Sequence, residues 1–162
     1  MASTAAAGEW RTFGLFAAPD GASLEEALSS MPLRVWRTDE VTALFPHPND
    51  PGPSAPAGDG DRMELFTAFT LRVPDGTPDD DVRDTQAREA QRAAELARGG
   101  NLRRLWLLDS PPGRRALGLW RARDADELQR ILDSLPLRPW LETEVTPLSV
   151  HPSDPEIAER AP

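Results

Sequence analysis

The chain has no cysteine and no tyrosine, and all eighteen of its basic residues are arginine, so lysine is missing as well. Without cysteine there are no disulfides, no thiolate metal ligands and no cysteine nucleophile. Without lysine or tyrosine there is no Schiff-base amine and no phenolic acid. Acid–base chemistry would fall to Asp, Glu or the two histidines, with arginine and backbone amides left to stabilise negative charge. The all-arginine basic set, beside many Ala, Pro and Asp, reads as a coding bias rather than a functional signal. Positive charge is also in deficit: the net charge is −9. That excess disfavours nucleic acid and anionic membrane surfaces, both of which need clustered cations. No apolar run is long enough to span a bilayer. The opening "MASTAAAGEW" lacks the basic start and apolar stretch of a signal peptide, so a cytoplasmic location is the expectation.

What the chain does have is an internal repeat. Residues 11–51 align without a gap on residues 115–155, at the offset that separates His47 from His151, and about half of the aligned positions are identical. Gly14/Gly118, Asp20/Asp124, Leu28/Leu132, Trp36/Trp140 and His47/His151 are among them. Each copy reads strand, helix, strand. In the second copy, "RALGLWRA" is a short apolar strand. Asp124 then caps a helix with apolar residues at Leu128, Ile131, Leu132 and Leu135, Pro136 stops it, and residues 140–150 return to an extended pattern.

Only the second copy has more in front of it. Residues 63–74 read as a strand and residues 77–100 as a helix, with Thr77 as cap, Pro78 in the first position, three aspartates at the dipole and Gly99-Gly100 at the end. Residues 101–109 form a further strand. Residues 62–155 therefore read βαββαβ. The expected fold class is α+β: a ferredoxin-like antiparallel sheet with both helices on one face, of the dimeric α+β barrel type, plus an extra N-terminal βαβ half-repeat. The expected organisation is a disordered terminus at 1–9, the half-repeat at 10–45, a Pro/Gly-rich linker at 46–61, the full domain at 62–155 and a tail at 156–162. The half-repeat would leave a gap one strand wide between its two strands, to be filled by another strand or by docking onto the full unit.

Residues 63–155 resemble the muconolactone Δ-isomerase family. The resemblance is carried by the first strand closed at Val73-Pro74, the long helix with Glu89, the "RRLW" strand (Arg103, Leu105, Trp106), "LPLRPW", the following "EV" and the terminal "HPSD". It implies a homo-oligomer that moves a proton on an unsaturated lactone with neither metal nor organic cofactor. The chain departs from the pattern at Ala68, where a lysine is usual, and at Leu102 and Arg104, which flank the matching Arg103. Leu107 stands where an arginine is expected, and "DSPPGRR" replaces an aromatic hairpin. These losses of polar groups leave the substrate open.

The resemblance makes Glu89 the candidate base or acid and Arg103 the candidate anion or oxyanion binder. His151 is a candidate for proton transfer, with His-Pro-Ser-Asp-Pro as plain turn chemistry the alternative. Arg104, Trp106 and Trp120 are candidates for binding a flat, conjugated small molecule. The expected activity is a cofactor-independent isomerase or cyclase acting on a small unsaturated lactone or polyketide-like molecule. The alternative is a non-catalytic binding or assembly protein that keeps the fold.

Overall fold

The computed structural model describes residues 2–6, 9–32, 34–53, 62–109 and 113–151, with no side-chain detail at 2–10 or at 150. The expected tail at 156–162, and the second half of the linker, lie outside the described residues. The chain forms two compact units. One comprises Met1–Thr42 with Val150–Pro162, and the other Ala43–Ser149.

The second unit carries a five-stranded sheet built from β3 (Phe45–Pro46), β4 (Met63–Leu71), β5 (Leu102–Leu107), β6 (Arg115–Ala122) and β7 (Leu141–Pro147). The order is β3-β5-β6-β4-β7 and every neighbouring pair is antiparallel. Helices α2 (Asp79–Arg98) and α3 (Ala125–Asp133) connect β4 to β5 and β6 to β7. This is the βαββαβ sheet expected from the sequence, with β3 added at its β5 edge.

Strand alternation decides which side chains meet the helices. Leu65, Thr67 and Phe69 of β4 pair with Trp120, Gly118 and Ala116 of β6, and all face the helix layer. Leu102 and Leu105 of β5 join them, as do Leu96 of α2 and Leu128 and Leu132 of α3. Leu128 and Leu132 are each 1% exposed, and burying such a side chain stabilises by about 1.5–3 kcal/mol. The opposite face is more polar. There Glu64 and Arg121 stand directly opposite each other in the register and form an ion pair at 3.0 Å.

Within that core, the Trp120 Nε1–H donates to Thr67 Oγ1 at 2.8 Å, and the indole meets Phe69 edge-on at 6.3 Å. A bare Cα at Gly118 makes this possible. A Cβ there would lie 2.4 Å from Trp120 Nε1 and 2.7 Å from Thr67 Oγ1.

The helix ends show where local signals held. Asp124 accepts from the Glu127 N–H at 2.7 Å, and Asp20 accepts from the Ser23 N–H at 2.8 Å at the start of α1 (Gly21–Ser29). The repeat thus reproduces a cap bond for bond. It also reproduces the helix exit, since the Ser30 and Ser134 hydroxyls donate back to Ala27 O and Ile131 O. Replacing Asp124 with Ala is expected to cost about 1 kcal/mol, read as a lower urea midpoint at unchanged slope. Gly100, at φ 73°, closes α2, where Asn101 N–H reaches Leu96 O and Gly100 N–H reaches Ala97 O. Thr77 is a correction. Its hydroxyl donates to Pro74 O at 2.7 Å, closing the preceding turn, and α2 has no side-chain cap.

The first unit holds β1 (Ala2–Ala6), β2 (Glu9–Phe13) and α1, in a sheet of order β2-β1-β8 completed by β8 (Ser149–Val150). Ala2–Ala6, expected to be disordered, is therefore a strand paired antiparallel with β2. Residues 37–43, expected to be extended like their copies 141–147, form no strand. The reason is a missing neighbour. The backbone of 141–147 is paired along β4, and the first repeat contains no counterpart of β4. Apolar side chains that the full unit covers stay open here, with Leu15 56% and Trp36 82% exposed. Trp36 and Trp140 both sit in single 3₁₀ turns, Arg34–Trp36 and Arg138–Trp140, rather than at the start of strands. Among the described residues no helix is long and apolar enough to cross a membrane.

Candidate functional site

Glu89 lies on α2 at the edge of the helix layer, half-buried. Its Oε2 accepts the N–H of Leu137 at 2.9 Å, in the turn that leads from α3 into β7. Pro136 makes that turn by stopping α3, so the "LPLRPW" stretch creates both the bend and the amide that Glu89 meets. Burial pushes the Glu89 carboxyl above the ordinary glutamate value, and the Leu137 N–H pulls it back only in part. A carboxyl so placed is poised between acid and base nearer to neutral pH than an exposed glutamate is.

The arginines and tryptophans divide by face. Trp120 is 2% exposed in the core, whereas Trp106 is turned away from the helices, because its neighbour Leu105 faces them. The two tryptophans therefore cannot line one binding surface within the sheet. Trp120 serves the core through Thr67. Trp106 lies beneath the Arg104 guanidinium, 4.9 Å from ring centre to Cζ.

Arg104 is held from the other side by Asp50, with Nε and Nη2 each 3.2 Å from its carboxylate. Arg103 falls at the irregularity in the β5–β6 register between Leu102 and Arg104, which interrupts the simple alternation expected there. It is half-buried. His151 belongs to the first unit and is half-buried, and the residues after it lie outside the described residues.

One group escaped the sequence reading. Thr143, opposite Phe69 on β7, has a buried hydroxyl with no hydrogen-bond partner among the described residues. A threonine in an alternating strand gives no signal of this. His47, like its copy His151, is expected in a His-Pro turn, and the structure forms one there, with Asp50 N–H donating to His47 O at 3.0 Å. Its Nδ1 accepts the Asn49 N–H at 3.0 Å, which places the proton of the neutral ring on Nε2. Burial lowers its pKa, against the opposing charge of Asp50. A shallow cleft of about 350 Å³ runs between the Pro48–Pro51 turn and Ala90, Ala94, Ala97 and Arg98 of α2. Glu89 does not line it.

The family model described as muconolactone delta-isomerase matches residues 2–50 and 63–154. The chain belongs to the muconolactone delta-isomerase family. A muconolactone delta-isomerase of Rhodococcus opacus is 36% identical over 90 residues, which span 53% of this chain and 95% of that protein. The crystal structure of a muconolactone isomerase superposes with a TM-score of 0.53 at 26% identity, covering 57% of this chain and 95% of that one. Each relative is thus accounted for by little more than half of this chain. Membership makes the protein an isomerase. In the family's frame Ala68, where a lysine is usual, sits on the helix-free face opposite Leu117 and Glu144. Leu102 is core, and Arg104 is engaged by Asp50, a residue of the first repeat.

Proposed function

We propose that the protein is a cofactor-independent isomerase that moves a double bond in a small unsaturated lactone, or a related polyketide-like molecule, by proton transfer at Glu89. The observation that carries this reading is the desolvated Glu89 carboxyl, the one glutamate on α2 drawn into the helix layer with a raised pKa. Muconolactone, named for the relatives, is the first substrate to try.

The chemistry needs three things. A base removes the acidic proton α or γ to the lactone carbonyl, donors hold the dienolate oxygen as charge develops, and an acid returns the proton to another carbon. Glu89 serves as base and then, protonated, as acid. One carboxyl does both jobs if the ligand stays on one face of it. Arg103 is the cationic donor in this scheme. The Thr143 hydroxyl, buried without a partner among the described residues and on the sheet face that meets the helices, is a neutral one. His151 in this reading keeps a turn role.

The test is an NMR time course in deuterated buffer with muconolactone and with an unsaturated lactone lacking its carboxylate. Deuterium entering the lactone with migration of the double bond is the expected result. Incorporation no faster than buffer for both compounds would overturn the reading. If only the carboxylate-bearing lactone reacts, a cation such as Arg103 is the specificity element.

A further inference from the structure

Residues 46–50, expected to open a linker, are built into the second unit with Phe45 as a strap along the outer edge of β5. Phe45 and Pro46 pair with Leu107 and Trp106. The chain then turns back, with the Asp50 N–H donating to His47 O at 3.0 Å. That turn aims the Asp50 carboxylate at β5, where it accepts the Leu105 N–H at 2.8 Å and both Arg104 donors at 3.2 Å. A titratable side chain sits inside the turn. His47 Nδ1 accepts the Asn49 N–H at 3.0 Å, so the turn is made for a ring that carries no proton on Nδ1.

A second proton on His47 would face one N–H donor with another. The Asn49 amide would lose its acceptor, and the new Nδ1–H would have none in a half-buried place. The surrounding charges divide. Asp50, on the strap itself, attracts the cation, and in doing so competes with its own hold on Leu105 and Arg104. Arg104 of β5 and Arg98 of α2, across the cleft from the turn, add positive charge on the receiving side. Each of these effects works against the closed strap.

We propose that residues 45–50 are a pH-operated latch on the β5 edge, closed while His47 is neutral and opened when Nδ1 takes a proton. Opening frees the Leu105 N–H and lifts Asp50 from Arg104, whose guanidinium stays over Trp106. Burial already holds the His47 pKa below its ordinary value, which fixes the direction of the response. Above the value of the released strap, about 6.5, closure does not depend on pH. Below it the open strap binds the proton more tightly, so closure weakens by at most about tenfold per pH unit until the closed-state value is passed.

The test is amide exchange by NMR on the full-length protein from about pH 8 to about pH 5, with each rate divided by that of an unstructured peptide at the same pH. The Leu108 N–H, which donates to Arg115 O at 2.9 Å, reports opening of the sheet itself. Protection of Leu105 relative to Leu108 should be level above about pH 6.5 and fall by up to about tenfold per unit below it. His47→Asn keeps an acceptor near the place of Nδ1 and takes no proton in this range, so its ratio should stay level. His47→Ala has no acceptor and should show low Leu105 protection at every pH. The chain has only two histidines, so the ring signal that persists in His151→Asn belongs to His47. It should titrate below the ordinary histidine value, over the range in which Leu105 loses protection, and this measurement serves if neither His47 variant folds. A level wild-type ratio would overturn the proposal, as would the same acid loss in His47→Asn or a His47 signal that titrates at or above its ordinary value. None of these readouts depends on lactone turnover, so the proposal stands or falls apart from the catalytic one.

Discussion

Glu89→Gln is expected to lose proton transfer by about 10²- to 10⁴-fold, the range over which a positioned acid–base group contributes, while the protein stays folded. The amide keeps the shape of the side chain, and its oxygen can still accept the Leu137 N–H that the carboxylate holds at 2.9 Å. Only the titratable proton is removed. Deuterium incorporation into the lactone is the readout. Equal incorporation by the two proteins would remove Glu89 from the mechanism. In wild type the rate should rise with pH through the elevated Glu89 pKa, because the base must be ionised, and the variant should lack that limb.

Stability gives an independent check with a definite sign. Burial raises the folded-state pKa of Glu89 above its unfolded value. The folded protein therefore holds the proton more tightly than the unfolded chain does. The stabilisation from that proton is complete below the unfolded value, about 4.3, and is lost as pH rises through the folded value. Glutamine has no such loss. Urea midpoints should accordingly move in favour of Glu89→Gln between acid and neutral pH. A gap that stays constant over that range would mean that the carboxyl is not desolvated.

The largest structural effect is expected at Gly118. In Gly118→Ala the new methyl would meet Trp120 Nε1 at 2.4 Å and Thr67 Oγ1 at 2.7 Å. Neither neighbour can give way cheaply, since Trp120 is 2% exposed and Thr67 is fully buried. Overpacking of this kind costs about 1–3 kcal/mol. Displacing the indole N–H from Thr67 adds about 1–3 kcal/mol for an unmet buried donor. The combined loss should be about 2–6 kcal/mol in urea unfolding. Thr67→Ala in the same chain clears part of the space, so the double variant should lose less than the sum of the singles. A Gly118→Ala protein within about 0.5 kcal/mol of wild type would show that this packing is looser than the geometry says.

Much of this was legible in the residues alone. The repeat, the Asp20 and Asp124 caps, the apolar stripe of α3 and the stop at Pro136 are local signals, and each element formed where its own few residues specified it. Glu89 was legible only through resemblance, because nothing in a highly charged helix marks one glutamate as the one that turns inward. Its partner, the Leu137 N–H, is 48 residues away.

Tertiary structure decided what depends on a distant neighbour. Residues 37–43 and 141–147 are aligned copies that share Glu-Val-Thr, yet only the second segment is a strand, because β4 lies beside it to take up its backbone hydrogen bonds. Trp106 and Trp120 look alike as strand tryptophans, but pairing register sends them to opposite faces. Residues 46–50 have the composition of a linker and become a clamp, since the β5 edge presents an N–H and an arginine that Asp50 can satisfy. Composition and periodicity fix what a segment can form by itself. Which of two aligned segments forms it is settled by where its unmet donors and acceptors find partners.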